Sequence, residues 1–279
     1  MSGSEARAFP VLVRGIGDVG SAVSVLLFRA GYPVALHDDP EPATSRRGMA
    51  FTDAVFDGTV TLEGITARRI DTPAMLREAF VARDAVPISV APFEEVLEAA
   101  SWSVLVDARL RKRAIPERQR GLAPLTLGLG PNFVAGETVD LAIETAWGEH
   151  LGEIIRLGAT LPFGGEPRSL GGAGRARFVY APVAGRFETT ARIGNRVESR
   201  EVVATIGTAA LTAPLSGVIR GLTRRGVSVG VAAKVIEVDP RGDPSSAFGL
   251  GERPRRIAEG VCRALAENLT GTSMVSGGA

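Results

Sequence analysis

A single cysteine, Cys262, stands among 279 residues, so neither an intramolecular disulfide framework nor a cysteine-based zinc cluster can form. A reducing cytoplasm is the expected compartment. Histidine is nearly as scarce, with only His37 and His150, and no H-E-x-x-H or G-x-S-x-G pattern occurs. Zinc and serine hydrolases therefore have no support, no metal site is expected, and no catalytic residue can be named. Lysine is confined to Lys112 and Lys234, so arginine carries the basic charge. The 32 basic and 31 acidic side chains nearly cancel, which removes the electrostatic footprint of a nucleic-acid binder. No apolar run approaches the roughly 20 residues that span a bilayer, and the N-terminal "MSGSEARAF" lacks the regions of a signal peptide. No membrane partner is expected.

What the chain does have is apolar content, 45% of its residues, enough for one large core or two smaller ones. Its most informative stretch is "RGIGDVGSAV", where Gly15, Gly17 and Gly20 have the G-x-G-x-x-G spacing that lets backbone approach a pyrophosphate. Glycine is abundant, so the context decides. The loop follows the apolar "FPVLVR", precedes the helical pattern of "SAVSVLLFRAGY", and leads to a second apolar run, "PVALHDD", that ends in acid. Strand, glycine turn, helix, strand and acid are the order of a nucleotide-binding βαβ unit. Asp38, 18 residues beyond Gly20, stands where a ribose-binding carboxylate belongs. "VPISV", "WSVLVDAR" and "PLTLGLGPNF" read as later strands, with "FEEVLEAA" as a helix between the first two. In "VFDGTVTLEGITARRI" the alternation predicts an inserted β-hairpin, with Asp57-Gly58 at its turn.

The second half repeats itself. Ala176–Gly207 aligns with Thr208–Asp239 at an offset of 32, matching Ala181 to Ala213, Pro182 to Pro214, Gly185 to Gly217, Gly194 to Gly226, Val197 to Val229 and Val203 to Val235. Apolar character also matches at Val183 and Leu215, Phe187 and Ile219, and Ile206 and Val238. Two such copies make a small flattened β-barrel, which resembles the barrel-sandwich hybrids of biotinyl and lipoyl carriers. Those carriers bear their cofactor on a lysine at the hairpin between the copies. Here Ile206 and Gly207 stand near that position and no lysine does. A docking surface or rigid cap is the expected role.

The fold expected is α/β: a Rossmann-like parallel-sheet domain over residues 9–145, a β-rich barrel-sandwich-like module over 146–242, and a C-terminal turn and helix over 243–279. On that helix Ile257, Val261 and Leu265 share one face, and the last ten residues read as frayed.

Several side chains around the glycine loop are candidates for ligand contact. Asp18 either caps the following helix or faces the ligand, and Arg14 can neutralise a phosphate. Arg46 and Arg47 stand where enzymes that take a 2′-phosphate place arginine. Asp107 and Arg109, the run Arg111-Lys112-Arg113, and the segment from Gly128 to Phe133 fall at strand ends, where parallel sheets bind ligands.

In order along the chain, "VRGIGDVG", "SRRGMAFTDAVFDGTVTLEGITARRI", "VDARLRKR", "LGLGPNFVAG", "VYAPVAGRF" and "VDPRGDP" resemble the selenium-dependent molybdenum hydroxylase accessory family. That family is distantly similar to the xanthine dehydrogenase accessory proteins. The resemblance implies a maturation factor for a molybdenum hydroxylase client, acting on the enzyme or on its molybdenum pterin cofactor. This cofactor is itself a dinucleotide in many bacteria. It further implies a paired-arginine loop at Arg46 and Arg47. Glu149 stands where the family usually has histidine, and Ala247 where a cysteine is associated with the segment, so thiol chemistry at that position is not implied. The cofactor-binding candidates are thus Gly15, Gly17, Asp18, Gly20, Asp38, Arg46 and Arg47. The ligand is either the molybdenum pterin or NAD(P), the latter in an NAD(P)-dependent oxidoreductase, and an empty-loop scaffold is the third reading. The sequence leaves open whether the protein is catalytic and whether it forms a homo-oligomer.

Overall fold

In the computed structural model, which describes residues 8–111 and 114–269, the glycine loop links β1 (Val11–Arg14) to α1 (Asp18–Arg29), and β2 (Val34–His37) follows. Both strands are buried at every position. The chain continues through α2 (Ala54–Asp57), β3 (Thr59–Leu62), β4 (Ile65–Arg69), α3 (Leu76–Ala82), β5 (Val86–Ser89), α4 (Phe93–Glu98) and β6 (Val104–Asp107). Next come β7 (Leu125–Leu129), β8 (Val134–Ala135), β9 (Leu141–Ile143), β10 (Ile154–Ile155) and β11 (Gly158–Ala159).

Nine of these strands form one sheet in the order β10-β9-β7-β6-β1-β2-β5-β4-β3. From β4 through β9 in that order neighbours run parallel, and β3 and β10 close the edges antiparallel. Apolar layers cover both faces. Val11, Val13, Leu36, Val106 and Leu127 pack toward α1, while Leu12, Ala35 and Leu105 pack with Leu76 of α3 and Val96 of α4. Two covered faces explain why these strands read as unbroken apolar runs. The chain winds outward from β1 in one direction through β2 and β5, then in the other through β6, β7 and β9. The order reverses between β1 and β6, whose carboxyl ends lead into the glycine loop and into Ala108.

Two expectations need correction. The hairpin turn lies at Glu63-Gly64, with φ of 52° and 77°, between the paired residues Leu62 and Ile65. Asp57-Gly58 instead ends α2, Gly58 taking φ 83° as its C-cap. An aspartate-glycine pair serves either purpose, because both need a residue at positive φ. The hairpin is also part of the main sheet, since β4 pairs with β5. The boundary at residue 145 falls short as well: β10 belongs to the large sheet, and β11 pairs with β8.

The repeat region forms β12 (Phe178–Tyr180), β13 (Gly185–Glu188), β14 (Arg196–Val197), β15 (Val202–Ile206), β16 (Ala209–Thr212), β17 (Gly217–Leu222), β18 (Ser228–Val229) and β19 (Lys234–Asp239). A shift of 32 residues carries β12 to β16, β13 to β17, β14 to β18 and β15 to β19. Two four-stranded sheets result, ordered β12-β19-β17-β14 and β16-β15-β13-β18. Each is the image of the other under the repeat, with strands from both copies in both sheets. Matched positions meet in one core: Ala181 and Ala213, Phe187 and Ile219, Val197 and Val229, Val203 and Val235, Ile206 and Val238. Val183 departs from its partner, being exposed where Leu215 is packed.

Last, α5 (Glu252–Leu269) returns to the first domain and lies on α1, burying Ile257, Val261 and Leu265. Gly260 on this helix passes close to the segment before β10, where a Cβ would stand 2.3 Å from the Gly152 carbonyl oxygen. Cys262 is partly buried on this helix. Among the described residues no helix is long and apolar enough to cross a membrane. Residues 1–7, Lys112, Arg113 and the segment 270–279 lie outside the described residues, and with them part of the basic run and the end read as frayed.

Candidate functional site

Each glycine of the loop has a different task. Gly15 adopts φ +99°, donates its amide to the His37 carbonyl at 2.7 Å, and passes so near β6 that a Cβ would meet the Ala108–Arg109 backbone at 2.9 Å. Gly20 lies against Gly15, where a Cβ would fall 1.8 Å from its carbonyl oxygen. These two glycines build the turn. Gly17 differs: its φ is ordinary, and the nearest atom to an added Cβ is the Thr44 hydroxyl at 4.0 Å. Among the described residues no contact requires glycine there.

The loop is braced from below. Asp38 accepts the Ile16 amide through Oδ2 at 2.8 Å, and the hydroxyls of Ser21 and Thr52 donate to the Ile16 carbonyl at 3.0 and 3.1 Å. Burial raises the Asp38 carboxyl, against the pull of the two amides that it accepts. Asp38 therefore clamps the loop while standing at the expected ribose position. Gly17 is the N-cap of α1 and supplies no side chain. Among the described residues the amides of Gly17, Asp18 and Gly20 have no protein acceptor, and the positive end of a 12-residue helix emerges there.

Asp18 begins α1, and its partner is Arg46, at 2.9 Å. Burial works against it, but Arg46 holds the Asp18 carboxyl below its usual range. Arg46 then reaches across to the β-rich module, bonding Glu237 on β19 at 2.7 and 3.2 Å. Glu237 is wholly inaccessible, and Arg177 and Arg220 also donate to it, each at 3.2 Å. Despite its burial, Arg46, Lys234 and Arg220 keep its carboxyl far below the ordinary glutamate range. Arg47 bonds Asp53 at 2.6 Å and the Leu222 carbonyl at 2.8 Å. The arginines expected to receive a phosphate are thus committed within the protein, where they lock the module to the loop. Another arginine lies within electrostatic reach of Asp18. Arg253 of α5 donates to the Thr145 carbonyl at 2.7 Å, and burial lowers its pKa, opposed by the charge of Asp18.

A second group of polar side chains stands at the strand ends on the α4 face of the sheet. Arg14 lies over the Phe93 ring, 3.6 Å from its centroid, and donates to Glu117 at 2.9 Å. His37 packs on the same ring, its Nε2 2.9 Å from the Ala91 carbonyl oxygen, and burial pushes its pKa down. Asp107 is buried and accepts from Arg109 and Gln119. The segment from Gly128 to Phe133 is not a site wall at its end. Phe133 turns into a small core cluster, its ring filling the space a Cβ on Gly128 would need.

Sequence reasoning did not find Glu237, Arg177, Arg220, Arg253 or Glu117. For Glu237 a signal existed: "KVIEVD" is an apolar strand interrupted by one acid, where the other copy of the repeat has Thr205. Among the described residues no three histidines, cysteines or acids converge to hold a metal ion.

No family model matches the chain. It is similar to the uncharacterized protein YqeB of Escherichia coli (strain K12), with 35% identity over 255 residues, 91% of this chain and 47% of the relative. The chain thus spans about half the length of that curated protein.

Proposed function

We propose that the chain binds the pyrophosphate of a dinucleotide-like ligand at the Gly15–Gly20 loop and assists maturation of a molybdenum hydroxylase. The observation that carries the binding half is Gly17, bare and sterically unconstrained beside the free amides of α1. Its surroundings favour a Rossmann-like reading of the first domain. The order β5-β2-β1-β6-β7-β9 is that of a doubly wound nucleotide fold, and the loop stands at its reversal. Two interleaved four-stranded sheets likewise support a barrel-sandwich-hybrid reading of the module. At its central turn, Gly207-Thr208, neither residue can carry biotin or lipoate.

The molybdenum half rests on the family resemblance of the motifs. The residues present fit the pyrophosphate link of a molybdenum pterin dinucleotide: the amides of Gly17, Asp18 and Gly20 would take its oxygens, with Arg253 nearby for charge. When bound, the pterin supplies the molybdenum chemistry of the client enzyme. This chain's part is to hold the group and present it. The rival reading, an NAD(P)-dependent oxidoreductase, is weakened for NADP because Arg46 and Arg47 are engaged elsewhere.

Calorimetric titration with NAD, NADP, ATP, CTP and the molybdenum pterin in mononucleotide and dinucleotide forms tests the proposal. The expected result is binding of the pterin dinucleotide without a nicotinamide response, weakened at least tenfold by Gly17→Ala. Tight binding of NAD or NADP alone would replace this reading with the oxidoreductase. Silence across the panel would leave a scaffold.

A further inference from the structure

We propose that Arg14, Arg109 and Arg111 form an oxyanion-binding site on the α4 face, at the carboxyl ends of β1 and β6, which the Glu117 carboxylate fills when no ligand is present. Three guanidinium groups converge on this one side chain. Arg14 donates to its Oε1 at 2.9 Å, Arg109 donates to the same oxygen at 2.6 Å, and Arg111 donates to Oε2. Such a fork of donors matches a carboxylate or phosphate group.

The arginines and the glutamate are held very differently. Arg14 is the last residue of a central strand, is 7% exposed, and lies against Phe93. Among the described residues its Nε has no hydrogen-bond partner, so even with Glu117 in place this buried cation is incompletely satisfied there. Arg109 is anchored by Asp107 through Nε at 3.0 and 3.1 Å, and Gln119 secures that aspartate in turn. Glu117, by contrast, has a side chain 47% exposed, on a stretch without helix or strand whose neighbour Ile115 is almost wholly in solvent. It can leave without disturbing the sheet. With Glu117 withdrawn, the two anchored cations Arg14 and Arg109, with the exposed Arg111 beside them, face a single buried carboxylate, an imbalance that an incoming oxyanion would offset.

The ligand class is a small oxyanion, either a phosphate group or a carboxylate, and the site is separate from the Gly17 backbone. The probes are inorganic phosphate, pyrophosphate and malonate, titrated by calorimetry in low-salt buffer. Glu117→Gln is expected to bind at least one of them tenfold or more tighter than the unaltered protein, and adding Arg14→Met should abolish the gain. A gain with pyrophosphate or phosphate identifies a phosphoryl ligand, and one with malonate alone a carboxylate. A folded Glu117→Gln variant with unchanged affinities would overturn the site. Should that variant fail to fold, hydrogen exchange on the unaltered protein decides. The amides of Ala114, Ile115 and Glu117–Arg120 should exchange faster in saturating oxyanion than in chloride of equal ionic strength, and an unchanged rate overturns the proposal. Gly17→Ala should leave these titrations unaffected, which keeps this site distinct from the dinucleotide reading.

Discussion

Two glycines three residues apart should respond to the same methyl group by very different amounts. Gly20→Ala drives a Cβ to 1.8 Å from the Gly15 carbonyl, so backbone must move, and a stability loss of at least about 1–3 kcal/mol is expected. Gly17→Ala meets nothing nearer than 4.0 Å and should cost about 1 kcal/mol or less, the difference between glycine and alanine as an N-cap. Urea unfolding of the two variants measures both values; equal losses would show that Gly17 has an internal role. Asp38 offers a third test at this scale. Asp38→Ala leaves the Ile16 amide without its acceptor, and the expected cost is about 1–3 kcal/mol in the same assay. The spacing of the glycines and the position of Asp38 were both legible in the sequence. Their division of labour was not, because it depends on how closely Ala108 and Gly15 approach them in space.

At the scale of elements, the segment from Ser45 to Asp57 explains itself once both of its sides are seen. On one side the Phe51 amide donates to the Ser21 hydroxyl at 2.8 Å, and Thr52 reaches the Ile16 carbonyl beneath the glycine loop. On the other, the Ser45 carbonyl accepts the Leu222 amide at 2.7 Å, and Arg224 bridges to Asp53 and Asp57. This stretch between β2 and the hairpin is the joint between the loop and the module. The helix α5 has a similar linking role. Although it follows the module in sequence, it completes the core over α1, and Leu265→Ala is expected to destabilise the first domain by about 2–5 kcal/mol. Thermal unfolding read at Trp102, which lies in that domain, checks the value.

For the whole molecule, the cluster around Glu237 decides how the two parts hold together. Removing the charge with Glu237→Gln leaves Arg46, Arg177 and Arg220 around a neutral group, and at neutral pH a loss of about 3–5 kcal/mol is expected. The pH dependence has a definite sign. Because the folded protein holds the carboxyl below its ordinary range, its contribution is present above about pH 4.3 and is lost as the pH falls further. The gap in melting temperature between the unaltered protein and Glu237→Gln should therefore narrow from pH 6 to pH 3. A constant gap would mean that the carboxylate's charge is not what matters.

Local pattern was sufficient for much of this architecture. Unbroken apolar runs marked strands covered on both faces, the glycine turn marked where α1 begins, and an offset of 32 residues marked two copies whose cores interdigitate. These features depend on near neighbours or on periodicity, and such information is present in the chain itself. Only the tertiary structure decided the partners of the charged groups. Arg46 and Glu237 are 191 positions apart, and Arg14 and Glu117 are 103 apart. With so many arginines in the chain, no local rule selects which acid each will meet. The choice falls to packing, which excludes water from a few sites and leaves each buried charge only the partners within its reach.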